Sequence, residues 1–143
     1  MRAVRDPEDL GPGRRGALPA QDRLAMLKRF IARTLRRFGF IEFDFLASRA
    51  RSYPSEPELR PGEVVHVVDG GFEKWACLKC PGGCGATIPL SLSQKRRPRW
   101  EIALDWFGRP TVKPSVHQQN DCGCHFWIRH GRIDWCKDGR PRS

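Results

Sequence analysis

Apolar residues recur at helical spacing early in the chain. Leu24, Leu27, Ile31, Leu35 and Phe38 fall three or four residues apart, and Arg23, Lys28, Arg29, Arg33, Arg36 and Arg37 fill much of the rest. That period predicts a basic amphipathic helix from about Ala20 to Phe38, ended by Gly39. Phe40-Ile41-Glu42-Phe43-Asp44-Phe45-Leu46 then alternates and is rich in aromatics. It fits a strand, or a continuation of the helix past a kink. Pro54, Pro57 and Pro61 mark a connection over residues 49–62. Beyond it the pattern is that of short strands: Val64–Val68, a turn at Gly70-Gly71, Phe72–Leu78, Thr87–Leu92, Trp100–Trp106, Thr111–Val116, Phe126–Arg129, a turn at His130-Gly131, and Arg132–Trp135. The predicted fold is α+β. It is a small antiparallel β-sheet or partial barrel with a metal-binding turn, covered by one N-terminal helix. The expected divisions are a disordered basic N-terminus at 1–19, the helix and first extended segment at 20–48, the Pro-rich connection at 49–62, the metal-stabilised β domain at 63–137, and a frayed basic tail at 138–143.

Composition changes this picture in two ways. With 143 residues, 39% apolar, 14 glycines and 12 prolines, the core is small and rich in turns, so a covalent or metal staple is expected. The formal charge of +10 is also unevenly spread. The first 38 residues hold ten Lys/Arg against four Asp/Glu. Such an arm is either a solvated face or a surface for nucleic acid, anionic lipid or an acidic protein. Lys95-Arg96-Arg97-Pro98-Arg99 is a second basic stretch that could assist in phosphate contact. No apolar run is long enough to span a membrane, and no signal-peptide core follows Met1. The six cysteines are therefore expected in a reducing cytoplasm, where clusters read as metal ligands rather than disulfides.

The staple is expected to be zinc. Cys77-Leu78-Lys79-Cys80-Pro81-Gly82-Gly83-Cys84-Gly85 and Asp121-Cys122-Gly123-Cys124-His125 form two clusters, with Cys136 further on. Zinc takes four soft or borderline ligands in a tetrahedron. The favoured set is Cys77, Cys80, Cys84 and Cys122. The rival set is Cys80, Cys84, Cys122 and His125. An iron–sulfur cluster is the alternative metal centre. A closed four-thiolate site is structural and leaves His125 free for chemistry. Ser115, in Lys113-Pro114-Ser115-Val116, then pairs with His125 as nucleophile and base, because a serine hydroxyl needs a base within hydrogen-bond reach. Asp105, Asp121 and Asp134 could each orient such a histidine, and the sequence does not choose between them. The plainer reading makes Ser115 a turn or strand hydroxyl. The five tryptophans read as core rather than as a base-stacking platform.

Cys80-Pro81-Gly82-Gly83-Cys84-Gly85, Trp100, Pro114-Ser115-Val116, Cys122-Gly123-Cys124-His125-Phe126-Trp127-Ile128 and Gly131-Arg132-Ile133-Asp134-Trp135 together resemble a family of small bacterial zinc-binding proteins. Members typically carry Cys-Pro-Cys-Gly-Cys-Gly, Pro-Ser-Ile/Val and Cys-x-x-His-Phe-Trp-Ile stretches. The likeness covers about residues 60–136. The family is associated with operons encoding relatives of ubiquitin, E1 and E2. The resemblance implies a ubiquitin-like modifier, or E1- and E2-like proteins, as partners. It also implies a serine-type peptidase that trims or removes the modifier. The alternatives are a non-catalytic zinc adaptor and a nucleic-acid-binding zinc module. Two positions depart from the pattern. Gly82 stands where the middle cysteine is usual, so that Cys77 is expected to supply the missing thiolate. Cys124 stands where a hydroxyl residue, usually serine, is common, which makes it a rival nucleophile.

Overall fold

A computed structural model describes residues 20–139 of the chain. The expected disordered segment 1–19, and residues 140–143 of the expected tail, lie outside them. One helix, α1 (Ala20–Arg37), precedes eight strands: β1 (Leu46–Ala50), β2 (Glu63–Asp69), β3 (Phe72–Lys79), β4 (Thr87–Ser91), β5 (Glu101–Leu104), β6 (Pro110–His117), β7 (His125–Arg129) and β8 (Arg132–Trp135). The class is α+β, as the patterning predicts. The strands form two four-stranded sheets, ordered β1-β2-β3-β4 and β5-β6-β7-β8, and neither closes into a barrel. Every pairing is antiparallel except β1 with β2.

The alternation of side chains across each strand decides what meets what. Val64, Ala76, Leu78, Ile88 and Leu90 of the first sheet share one apolar layer with Val112, Val116, Phe126 and Ile128 of the second. Each fully buried Leu, Ile or Phe in such a layer contributes about 1.5–3 kcal/mol relative to exposure. The intervening residues of the first sheet face the other way. Val65, Val67 and Cys77 pack with Leu59 in a separate cluster.

The segment Phe40–Phe45 is neither strand nor helix. Its backbone is tied to the β7–β8 turn instead: Asp44 and Phe45 donate N–H groups to the Gly131 carbonyl at 2.7 and 2.8 Å, and the Asp44 carboxylate accepts the Ile133 N–H at 2.8 Å. The ladder begins only at Leu46. The helix touches the sheets through its later turns. Ala32 packs with Phe43 and Leu46, and Arg36 donates to the Phe43 carbonyl at 3.2 Å. Leu24, Met26, Leu27 and Phe30 remain largely exposed. No helix among the described residues is long and apolar enough to cross a membrane.

Candidate active site

Strands β6 and β7 bring Ser115 and His125 together. His117 pairs with His125 and Val116 with Phe126, and the register shifts between Val112 and Val116. Pro114 lies in that stretch and has no N–H to give a ladder. Ser115 follows it, with its carbonyl accepting the Trp100 indole N–H at 3.3 Å. Ser115 Oγ lies 3.0 Å from His125 Nε2. The other ring nitrogen, Nδ1, lies 2.9 Å from Asp138 Oδ1. The result is a continuous hydroxyl–imidazole–carboxylate relay.

Asp138 reaches the ring because the chain after β8 folds back over His125. The His125 N–H donates to the Gly139 carbonyl at 3.1 Å, and the Cys136 N–H donates to the His125 carbonyl at 2.9 Å. A Cβ on Gly139 would overlap the backbone and Cβ of His125. Only glycine allows this approach. The hydrogen bond from His125 holds the Asp138 carboxyl below its ordinary range. An ionised carboxylate can only accept, so Nδ1 carries a proton, and in the neutral ring Nε2 is left with its lone pair toward Ser115. The His117 ring stacks on His125, with centroids 4.4 Å apart and planes 14° from parallel. An open pocket of about 310 Å³ is lined by Arg97, Arg99, Glu101, Lys113, Trp127 and Pro114, the residue before Ser115.

None of the three aspartates singled out from sequence is the one on His125. Asp105 is engaged by Arg109 and by the Phe107 and Arg109 N–H groups. Asp134 pairs with Arg129. Asp138 was expected in a frayed tail, yet Asp138 and Gly139 are bonded to the β7 backbone and ring. The run Cys136-Lys137-Asp138-Gly139 ends in Asp-Gly, a turn signal that could have found it.

A family model described as "bacterial ubiquitination-like system serine protease (BubE)" matches residues 51–136. The chain belongs to this family. No curated protein and no solved structure matches the chain. The matched span contains Ser115, His125 and all six cysteines, and stops two residues short of Asp138.

Four of the six cysteines gather in one place, and Cys77 and Cys136 stand apart. Ligand atoms of Cys80, Cys84 and Cys122 lie within 4.8 Å of one another. Cys124 lies beside two of them: its Sγ is 3.6 Å from Cys80 Sγ and 3.1 Å from Cys122 Sγ, and Cys80 and Cys122 are 3.7 Å apart. All six thiols are free, so these are not disulfides. Sulfurs at the corners of a tetrahedron with metal–sulfur bonds of about 2.3 Å lie about 3.8 Å apart, close to two of these spacings. Several thiolates this close repel one another unless a cation sits among them. Burial and the neighbouring sulfurs push the Cys124 thiol above its ordinary range, and burial does the same to Cys80. The Ala86 N–H, with other donors, draws exposed Cys84 below it. The donor set fits a soft metal ion.

Cys77, in the favoured sequence set, is not in this group. It lies on β3, an odd number of residues from Cys80, and faces the cluster of Leu59, Val65 and Val67 beside Tyr53. His125, in the rival set, has both ring nitrogens engaged in the relay. Cys124 is buried among the thiols and points away from the reacting face. His125, Cys136 and Asp138 form another trio whose ligand atoms lie within 4.8 Å of one another.

Proposed function

We propose that the chain is a serine peptidase of a bacterial ubiquitin-like conjugation system, with Ser115 as nucleophile, His125 as general base and Asp138 as the group that orients the base. One observation carries this reading: the unbroken relay of 3.0 and 2.9 Å from Ser115 Oγ through His125 to Asp138. Ser115 Oγ attacks the scissile carbonyl while His125 Nε2 takes its proton. Asp138 holds the ring in the needed tautomer and stabilises the imidazolium that forms. His125 then returns the proton to the leaving amine, and water releases the acyl group by the reverse sequence. Within the system named by the family, the substrate is the C-terminal tail of the ubiquitin-like modifier, either as a precursor or joined to a target. The E1- and E2-like proteins are further partners.

The cysteine cluster is proposed to hold zinc as a structural ion. Cys80 follows β3 of the first sheet and Cys122 precedes β7 of the second, so the ion would clamp the two sheets beside the base. Zinc supplies cross-linking there, and no proton or acyl step passes through it. The active-site test is labelling by a fluorophosphonate probe, with cleavage of a modifier–tail fusion. Wild-type protein is expected to be labelled at Ser115 and to cleave. Ser115→Ala and His125→Ala are expected to do neither while keeping their metal. Cleavage that persists in Ser115→Ala overturns the assignment. A stable complex with the modifier and no turnover would favour the adaptor reading. Tight, steeply salt-dependent nucleic-acid binding would favour the third.

A further inference from the structure

The three sulfurs of Cys80, Cys84 and Cys122 leave a tetrahedral ion one ligand short. Two positions of the chain bear on the empty corner. One is Cys124, fully buried, with its sulfur 3.6 Å from Cys80 Sγ and 3.1 Å from Cys122 Sγ. The other is Gly82. A Cβ built there would overlap Cys124 Sγ and lie 3.4 Å from Cys122 Sγ and 3.5 Å from Cys80 Sγ. The side chain of residue 82 would therefore project into the middle of the thiol group, at the place that the Cys124 sulfur fills. The backbone at residue 82 makes no demand for positive φ, so only the close approach forbids a side chain.

We propose that Cys124 is the fourth ligand of the metal centre, and that Gly82 is glycine because a side chain there would compete for the same coordination position. The assignment rests on the zinc reading above and deepens it. The site is then Cys80, Cys84, Cys122 and Cys124, a closed all-thiolate set suited to zinc. Two ligands come from the turn after β3 and two from the turn before β7. A ligand at position 124 has a mechanical consequence. Cys124 is bonded in sequence to the base His125, so the ion grips the residue adjoining the catalytic imidazole. A ligand supplied from position 82 would grip only the turn after β3.

The test is metal uptake, which is independent of turnover. Full-length wild-type protein, Cys124→Ser, Gly82→Ala, Cys77→Ser and the double variant Gly82→Cys/Cys124→Ser are titrated with zinc against a competing chelator. Each is also loaded with cobalt to read the thiolate-to-metal charge-transfer band. Wild type is expected to bind one ion with a band for four thiolates. Cys124→Ser is expected to bind at least about tenfold more weakly with a band for three. Cys77→Ser is expected to match wild type. Gly82→Ala is expected to weaken binding by displacing the Cys124 sulfur, and to add little in the Cys124→Ser background, because both act on one coordination position. The double variant is expected to regain a four-thiolate band. Wild-type affinity in Cys124→Ser, or a three-thiolate band in wild-type protein, overturns the assignment. The wild-type band does so even where a variant folds poorly. Failure of wild type to take up either metal overturns the zinc reading itself.

Discussion

The two sheets have the same number of strands and share one apolar layer, but their duties differ. The second sheet and the turn after it carry Ser115, His125 and Asp138. The first sheet carries none of these. The turn that follows its strand β3 supplies Cys80 and Cys84. On the proposed reading the second sheet holds the reacting groups, and the turn after β3 of the first supplies half of the metal clamp. On that reading, a site built on β6, β7 and the turn after β8 still needs an external tie. Strand β7 begins at His125 itself, and a strand end frays more readily than its middle. The cysteine cluster sits immediately before that end.

The sharpest way to break this contrast is to remove the nucleophile. Ser115→Ala is expected to reduce cleavage of the modifier tail by about 10⁴–10⁶-fold, with metal content and melting temperature unchanged. Steady-state kinetics beside zinc analysis measures both. A comparable loss of fold stability would mean that Ser115 belongs to the scaffold rather than to the chemistry.

Next in size are changes in the first sheet that should reach the second. Cys80→Ser touches no reacting atom, yet it is expected to release the ion, lower the melting temperature and reduce turnover together. Mild acid should do the same to the wild type, because bound thiolates compete with protons, and a chelator should hasten it. Activity that survives complete metal removal would show that the second sheet positions its base unaided.

Within the second sheet, the turn that delivers Asp138 can be tested by itself. Asp138→Asn is expected to reduce turnover by about 10²–10⁴-fold with KM little changed, since it disturbs the tautomer and not substrate contact. Gly139→Ala should reproduce part of that loss by pushing the turn off His125. The carboxyl is held below its ordinary range, so its contribution is complete above about pH 4 and declines only as pH falls through the depressed value. The same experiment separates the relay from the metal trio of His125, Cys136 and Asp138. In the relay Cys136→Ala is expected to be nearly neutral for turnover, whereas a catalytic ion there would make it inactivating.

Much of this arrangement can be read from the chain before folding it. The helical period of Leu24–Leu35 and the strand period from Val64 onward place nearly every element, because the period is local, although the helix leaves Leu24 and Leu27 largely exposed. Ser115, His125, Cys80, Cys84 and Cys122 are legible from residue chemistry and motif order. Three features are not. That two sheets form instead of one depends on long-range pairing which no strand states about itself. Asp138 is hidden because its partner lies thirteen positions back and its own surroundings, Lys137, Arg140 and Arg142, look like a solvated tail. Cys77 misleads for a third reason. The spacing Cys77-x-x-Cys80 suits a metal turn, but here it runs along the end of a strand, where an odd step changes face.

Cys77 therefore gives the smallest and most diagnostic test. If it were a ligand, Cys77→Ala would empty the metal site. Its position in the cluster of Leu59, Val65 and Val67 implies otherwise. The variant is expected to keep its metal and lose only about 1–2 kcal/mol of stability, the usual result of removing one buried atom of this size. Burial pushes the Cys77 thiol up to about 11, above the ordinary value of about 8.5 for an unfolded thiol. The folded state thus prefers the neutral thiol. Its contribution is complete below the unfolded value and is lost as pH rises through about 11. Chemical denaturation across that alkaline window should show wild-type stability falling faster than that of Cys77→Ala. Equal slopes would mean that the Cys77 thiol is open to solvent, and the odd-step account of its position would fail with it.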